Sequence, residues 1–161
     1  MVLRRGDQHP EPRRGRYSFE LGTSGDTLDP SVVLGLFTWS DDPAYHNREI
    51  DIEFSHWSDR NKRTNGAYVV QPYDRIGTMQ NFAQGTVASS TLSFDWRRAA
   101  VRFASSSAEP STWTYSGHDV PEPGSEHAHM NLWLHRGAPP TDGQPAEVIV
   151  DSFQFTPARN R

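Results

Sequence analysis

Apolar residues recur along this chain in short runs separated by Gly, Pro, Asp and Asn, with no sustained helical spacing. Residues 16–21 alternate weakly between polar and apolar, 31–39 are apolar and β-branched, and 49–54 alternate strictly. Residues 67–71 read as a strand ended by Pro72. Residues 91–96 and 99–104 read as a hairpin that turns near Arg97 and Arg98, and residues 130–134 and 147–155 complete the series. Runs about ten residues apart with turn residues between them predict an all-β sandwich or jelly roll. No window combines a helical period with caps, and no internal repeat is visible. Segments 105–110, 121–126 and 137–145 read as loops. Residues 1–14 are polar and carry Pro10 and Pro12, so they are expected to form a mobile tail before a single domain spanning 15–161.

Composition narrows the function classes. The chain has 161 residues, a one-domain length able to bury a real core. Apolar residues are 34 % and aromatics 11 %, with five Trp, a balance that suits a thin sandwich or a sugar-handling surface and argues against a disordered chain. The formal net charge of -4 offers no basic field for nucleic acid or an anionic membrane. Arg4, Arg5, Arg13, Arg14 and Arg16 cluster at the start without a matching stripe elsewhere and read as solvated. The absence of Cys excludes disulfides, Cys-ligated zinc and thiol catalysis. No apolar run approaches a membrane span, and the opening residues lack the apolar stretch of a signal peptide. Gly22-x-x-Gly25 lacks the Lys and helix of a phosphate loop, and no G-x-S-x-G is present.

The informative stretch is Glu49-Ile50-Asp51-Ile52-Glu53-Phe54. Side chains on a strand alternate between faces, so Glu49, Asp51 and Glu53 share one face and Ile50, Ile52 and Phe54 share the other, toward the core. Three acids in a row repel one another, and acids are poor strand formers. A local rule broken in this way marks a candidate functional site. Retaining glycosidases need one carboxylate as nucleophile and another as general acid and then base. A third carboxylate between them can share a proton and push the neighbouring pKa values apart. Along a flat strand, Cα atoms four residues apart are about 13 Å from each other. The strand must therefore curve, with both Glu side chains leaning inward. An acidic solvent-facing strand, or one that binds a cation, has the same spacing.

This motif and its surroundings resemble glycoside hydrolase family 16, the laminarinase, lichenase and xyloglucan-transferase group. The six residues fit the family's E-[aliphatic]-D-[aliphatic]-E-aromatic core. Val33-Leu34-Gly35-Leu36-Phe37-Thr38-Trp39 resembles the strand before the catalytic one, Met130-Asn131-Leu132-Trp133 resembles the M-N-L-W strand of lichenase-like members, and residues 148–155 resemble the closing strand. The likeness runs from about Gly15 to about Pro157. The carboxylate motif alone is short, whereas three pieces in the right order are far more specific. The resemblance implies a concanavalin A-like jelly-roll β-sandwich with a sugar-binding cleft on its concave sheet. It implies Glu49 as nucleophile, Glu53 as acid/base and Asp51 as assisting carboxylate, acting on a β-linked polysaccharide by double displacement, with transglycosylation as a variant outcome. It places Trp39, Asn131 and Trp133 at sugar subsites, since Trp offers a flat apolar face to a pyranose and Asn supplies a donor and an acceptor. A core position remains the alternative for both Trp residues. It requires no cofactor, leaves a structural calcium unassigned, and implies a secreted monomer. Family domains carry further strands before the segment matching 15–21, so either a truncated, inactive chain or an abbreviated member, with unpaired sheet edges, is expected. A catalytically silent carbohydrate-binding module on the same fold is the competing reading.

Other candidates are weaker. His127, His129 and His135, with His118 or Glu126, have spacings that could hold a metal, although surface or subsite roles suit them better. His56 and Trp57 follow Phe54 and could flank the cleft beyond Glu53. Tyr68 and Gln71 fall on the neighbouring strand, where one is expected to reach the sugar. Asp95 and Trp96, near a hairpin end, read as structural.

Overall fold

The structure is a computed structural model, and it describes residues 14–45, 48–106 and 109–158. Ten strands account for its regular structure: β1 (Gly15–Leu21), β2 (Val32–Trp39), β3 (Ile50–Phe54), β4 (Gly66–Val70), β5 (Met79–Phe82), β6 (Ser90–Trp96), β7 (Val101–Ser106), β8 (Ser111–Tyr115), β9 (His127–Leu134) and β10 (Val150–Pro157). They pair into two antiparallel five-stranded sheets, ordered β10-β1-β6-β7-β8 and β5-β4-β3-β2-β9. The fold is the all-β jelly-roll sandwich expected from the alternation, and helical content among the described residues is limited to three single 3₁₀ turns.

The period-two pattern explains how the layers close. Tyr17, Phe19 and Leu21 point inward from β1, level with Phe94, Leu92 and Ser90 of β6. From the other sheet, Leu34 and Leu36 of β2, Ile50, Ile52 and Phe54 of β3, and Tyr68 and Val70 of β4 meet them, almost all fully buried. Tyr68 of β4 stacks across the interior on Phe103 of β7 with ring centres 5.0 Å apart, and within one sheet Tyr17 stacks on its β6 neighbour Phe94 at 4.7 Å. Each such side chain removed from water contributes about 1.5–3 kcal/mol, which offsets the modest aliphatic content.

The structure corrects several boundaries. β5 was not anticipated, because in Met-Gln-Asn-Phe only Phe82 is buried and no alternation shows. β8 was not anticipated either. Its Trp113 alternates with Thr residues and packs on Phe103 at 5.3 Å, but the strand carries too few apolar residues to stand out. β7 runs to Ser106, two residues into a segment that reads as loop, and β9 begins at His127, three residues early. The last strand begins at Val150 instead of residue 147. Ile149 pairs with the Thr23 hydroxyl and the Gly22 amide where the register slips between Glu20 and Leu21. The β6–β7 hairpin turns where expected, closed by the Arg97 amide on the Ala100 carbonyl at 2.8 Å, with Asp95 paired to Arg97. Trp96 is buried and donates its indole N–H to the Pro121 carbonyl at 3.0 Å. Of the expected tail, residues 1–13 lie outside the described residues.

The outer strands differ from the interior. Leu132 and Leu134 of β9 lie level with Leu34 and Val32, on the core side, yet are 39 % and 37 % exposed. Phe153 of β10, level with Phe19, is 39 % exposed. The sandwich is closed along β3, β4, β6 and β7 and open along the margin between β9 and β10.

Candidate active site

The acids sit in the middle of their sheet because β3 is flanked on both sides. Asp51 is level with Phe37 of β2 and Val69 of β4, and Glu53 is level with Gly35 and Ala67. Glu49 immediately precedes β3, and its carbonyl accepts the Gln71 amide at 3.0 Å, which continues the β3–β4 ladder by one step. The outward faces of β2 and β9 complete the floor, with Asn131 opposite Gly35, His129 opposite Phe37 and Trp133 opposite Val33. The result is an open cleft of about 420 Å³ lined by Glu49, Asp51 and Glu53 together with Trp39, Asn131 and Trp133.

Two further lining residues were not singled out in the sequence, Gly35 and Phe37. Gly35 lies between Glu53 and Asn131, and a β-carbon there would come within 2.6 Å of the Asn131 side-chain oxygen. Its missing side chain keeps the floor open beside the acids. The signal was a lone Gly inside an apolar strand, which marks close approach. Phe37 stacks on His129 with ring centres 5.5 Å apart.

The acids differ in protonation. Asp51 is only 3 % exposed, and burial pushes its carboxyl well above the ordinary range, reinforced by Glu49 and Glu53. Glu49 is raised by burial and held back by its hydrogen bond with Asp51. Both carboxyls are raised and Asp51 the more strongly, so Asp51 is the member of the pair better suited to donate to Glu49. Gln71 donates its side-chain N–H to Asp51 Oδ2 at 3.2 Å, which orients the donor. Glu53 is pushed up to about 7, chiefly by burial, then by the charge of Glu49, against the opposing pull of Lys62. One strand thus presents a hydrogen-bonded pair of raised carboxyls, Asp51 more so than Glu49, and a third carboxyl pushed up to about 7.

The structure separates the remaining candidates. Trp39 is half-buried in the cleft, with its indole N–H on Asp41 at 3.0 Å. Trp133 is 40 % exposed on the cleft face, so its alternative as a core aromatic falls away. Trp57 stands behind Trp133, in edge contact at 6.0 Å, and also meets His135 at 5.4 Å. Tyr68 does not reach the cleft: it points into the core, and its hydroxyl donates to the Ser111 carbonyl at 3.2 Å, because it is one residue out of phase with Val69 on the cleft face. Gln71 is the member of that strand that reaches the acids. His56 turns back to contact the Lys62 carbonyl. No group of three metal-ligating side chains occurs among the described residues, and His129 and His135 are taken up by Phe37, Ser58 and Trp57.

Fold and site together define a jelly-roll sandwich with a carboxylate-floored cleft. Among solved structures, the fold is similar to a β-glucanase from Bacillus licheniformis (TM-score 0.63, 18 % identity, covering 91 % of this chain and 67 % of that one). It is also similar to a glycoside hydrolase family protein from Mycobacterium thermorestibile (TM-score 0.64, 15 % identity, 90 % and 64 %). A prokaryotic beta-1,3-1,4-glucanase (lichenase) from a mouse hindgut metagenome shares it less fully (TM-score 0.55, 19 % identity, 76 % and 54 %). The chain thus spans from about half to two thirds of the length of these structures. No protein-family model matches the sequence, and no curated protein matches it.

Proposed function

We propose that this chain is a retaining, endo-acting hydrolase of β-linked polysaccharide, of the glycoside hydrolase family 16 type. The observation that carries the reading is the division of labour along β3. Glu53 is pushed up to about 7, while Glu49 is hydrogen-bonded to Asp51, whose carboxyl burial raises further still. In the first step the Glu49 carboxylate attacks the anomeric carbon and Glu53 gives its proton to the departing glycosidic oxygen. In the second, Glu53 takes a proton from water, which attacks the glycosyl ester and releases Glu49. Two inversions give retention. Asp51 donates to Glu49 throughout, holding its orientation. Trp39 and Trp133 offer apolar ring faces to pyranoses, and Asn131 offers polar atoms to hydroxyls. The shared fold with β-glucanases supports a β-glucan-like substrate. An acceptor sugar that outcompetes water in the second step would give transglycosylation.

A second reading, a carbohydrate-binding module, is favoured by one observation: β9, which carries Asn131 and Trp133, is an edge strand with partly exposed core-side residues. Reducing-end release from laminarin, mixed-linkage glucan, xyloglucan, agarose and carrageenan, beside Glu49→Ala, separates the two. Activity that vanishes in the variant is expected. Silence on every substrate from folded protein that still binds a glycan would establish the binding module instead.

A further inference from the structure

The strands beside β3 give its acids no hydrogen-bonding side chain within the paired register. Asp51 lies between Phe37 and Val69, and Glu53 between Gly35 and Ala67. The Trp39 indole N–H is taken by Asp41. Gln71, one step past the end of β4, is the exception. Its backbone amide donates to the Glu49 carbonyl at 3.0 Å, and its side-chain NH2 donates to Asp51 Oδ2 at 3.2 Å.

The Gln71 amide can point only one way. The backbone N–H of Tyr73 donates to Gln71 Oε1 at 2.9 Å. A backbone N–H never accepts, so the amide oxygen must face it, and the NH2 is left facing Asp51. Turned over, the NH2 would meet the Tyr73 N–H, donor against donor. The loop that carries Tyr73 is itself held. The buried Thr78 sets its hydroxyl 2.9 Å from the Pro72 carbonyl and 2.8 Å from that of Arg75, and the Val70 amide donates to the Thr78 carbonyl at 2.9 Å. Arg75 pairs with Asp119, just beyond β8 of the other sheet, and Asp119 also accepts the Tyr115 hydroxyl at 3.1 Å.

An NH2 group donates and cannot accept. Asp51 therefore accepts from Gln71, and a proton carried by Asp51 is directed at its other hydrogen-bonded neighbour, Glu49. We propose that Gln71, locked by the Tyr73 N–H, is a positioning residue that turns the proton of the Asp51–Glu49 pair toward the nucleophile. This assignment rests on the polysaccharide-hydrolase reading and names what fixes the hydrogen bond to Glu49. One Glu49 oxygen takes that bond, and the other is left free to attack the anomeric carbon.

The test compares two variants of similar side-chain length. Gln71→Met removes both polar atoms. Gln71→Glu keeps an oxygen for Tyr73 and puts a second oxygen where the NH2 faced Asp51. That oxygen should draw the Asp51 proton away from Glu49 and add negative charge beside it. On laminarin or mixed-linkage glucan, whichever the wild type cleaves faster, Gln71→Glu should lower kcat about a hundredfold with KM within about threefold of wild type. The acid limb of its kcat/KM profile should move up by about one pH unit. The lower of the two apparent pKa values of the Glu49–Asp51 pair, followed by carboxyl-carbon titration in nuclear magnetic resonance, should rise with it. Gln71→Met leaves Glu49 as the partner for the Asp51 proton, so kcat should fall about tenfold and the acid limb should stay in place. A purely structural Gln71 would lower kcat and melting temperature in both variants and move neither pH profile. That result overturns the assignment, as does an acid limb that shifts equally in the two variants. Titrations that shift as described in protein that cleaves no glycan overturn the hydrolase reading and leave the hydrogen-bond arrangement standing.

Discussion

The two faces of β3 are made by the same five-residue strand and lie in nearly the same degree of burial, but they answer to different physics. Ile50, Ile52 and Phe54 are fully buried among apolar neighbours, where burial itself is the source of stability. Asp51, one residue away on the other face, is 3 % exposed, and burial there works against its charge. On the core side the strand gains free energy from being covered. On the cleft side it loses some, and the loss appears as carboxyls that hold protons they would shed in water. A fold that keeps such a face does so at the expense of stability, the trade expected of a site that performs chemistry.

Breaking one face at a time should separate activity from stability. The largest effect is expected for Glu49→Ala, which should lower kcat at least about a thousandfold with little change in melting temperature, measured by reducing-end release beside a thermal melt. Next is Ile52→Ala on the opposite face. It should cost about 2–5 kcal/mol in urea unfolding, through lost burial and a cavity. An unchanged midpoint would show that the core beneath the site is looser than its burial implies. Glu53→Gln should raise stability and reverse the usual reading of a lost charge. Its folded-state pKa, about 7, lies above the ordinary value near 4.5. The wild-type protein therefore incurs no penalty below about 4.5, and an increasing one as pH rises toward 7. The variant should gain up to about 3 kcal/mol at pH 8 and nothing at pH 4. A gain of equal size at both pH values would refute the protonation assigned to Glu53. By the same logic, activity should fall on the alkaline side as pH passes about 7, where the acid loses its proton, and on the acid side as Glu49 becomes protonated. The smallest effect is expected for Gln71→Leu. Removing its donor should raise Asp51 further and change stability by about 1 kcal/mol, followed by carboxyl-carbon titration in nuclear magnetic resonance.

Much of this architecture was legible in the chain. The alternation in residues 49–54 assigned Ile50, Ile52 and Phe54 to the core and the three acids to the other face, because a strand has only two faces and its period is two. The apolar run through Trp39 and the Asn131-to-Trp133 segment read as strands for the same reason. What failed to read were elements whose burial is supplied by neighbours. β5 carries a single buried residue, β8 leans on the Phe103 ring, and Tyr68, three residues before Gln71, falls on the opposite face of its strand. Gly35 was visible only as an interruption, and its meaning depends on Asn131 lying across from it.

The amino-acid order by itself determined that the protein is all-β and that three carboxylates share one strand face, since both follow from local alternation. Only the tertiary structure decided how strongly each acid holds its proton. That depends on how deeply β2, β4 and β9 bury each carboxyl, on Gln71 reaching Asp51, and on a turn that carries Lys62 to the side of Glu53. Electrostatic energies depend on distance and on exclusion of water, and neither is written in the order of residues until the sheets have closed.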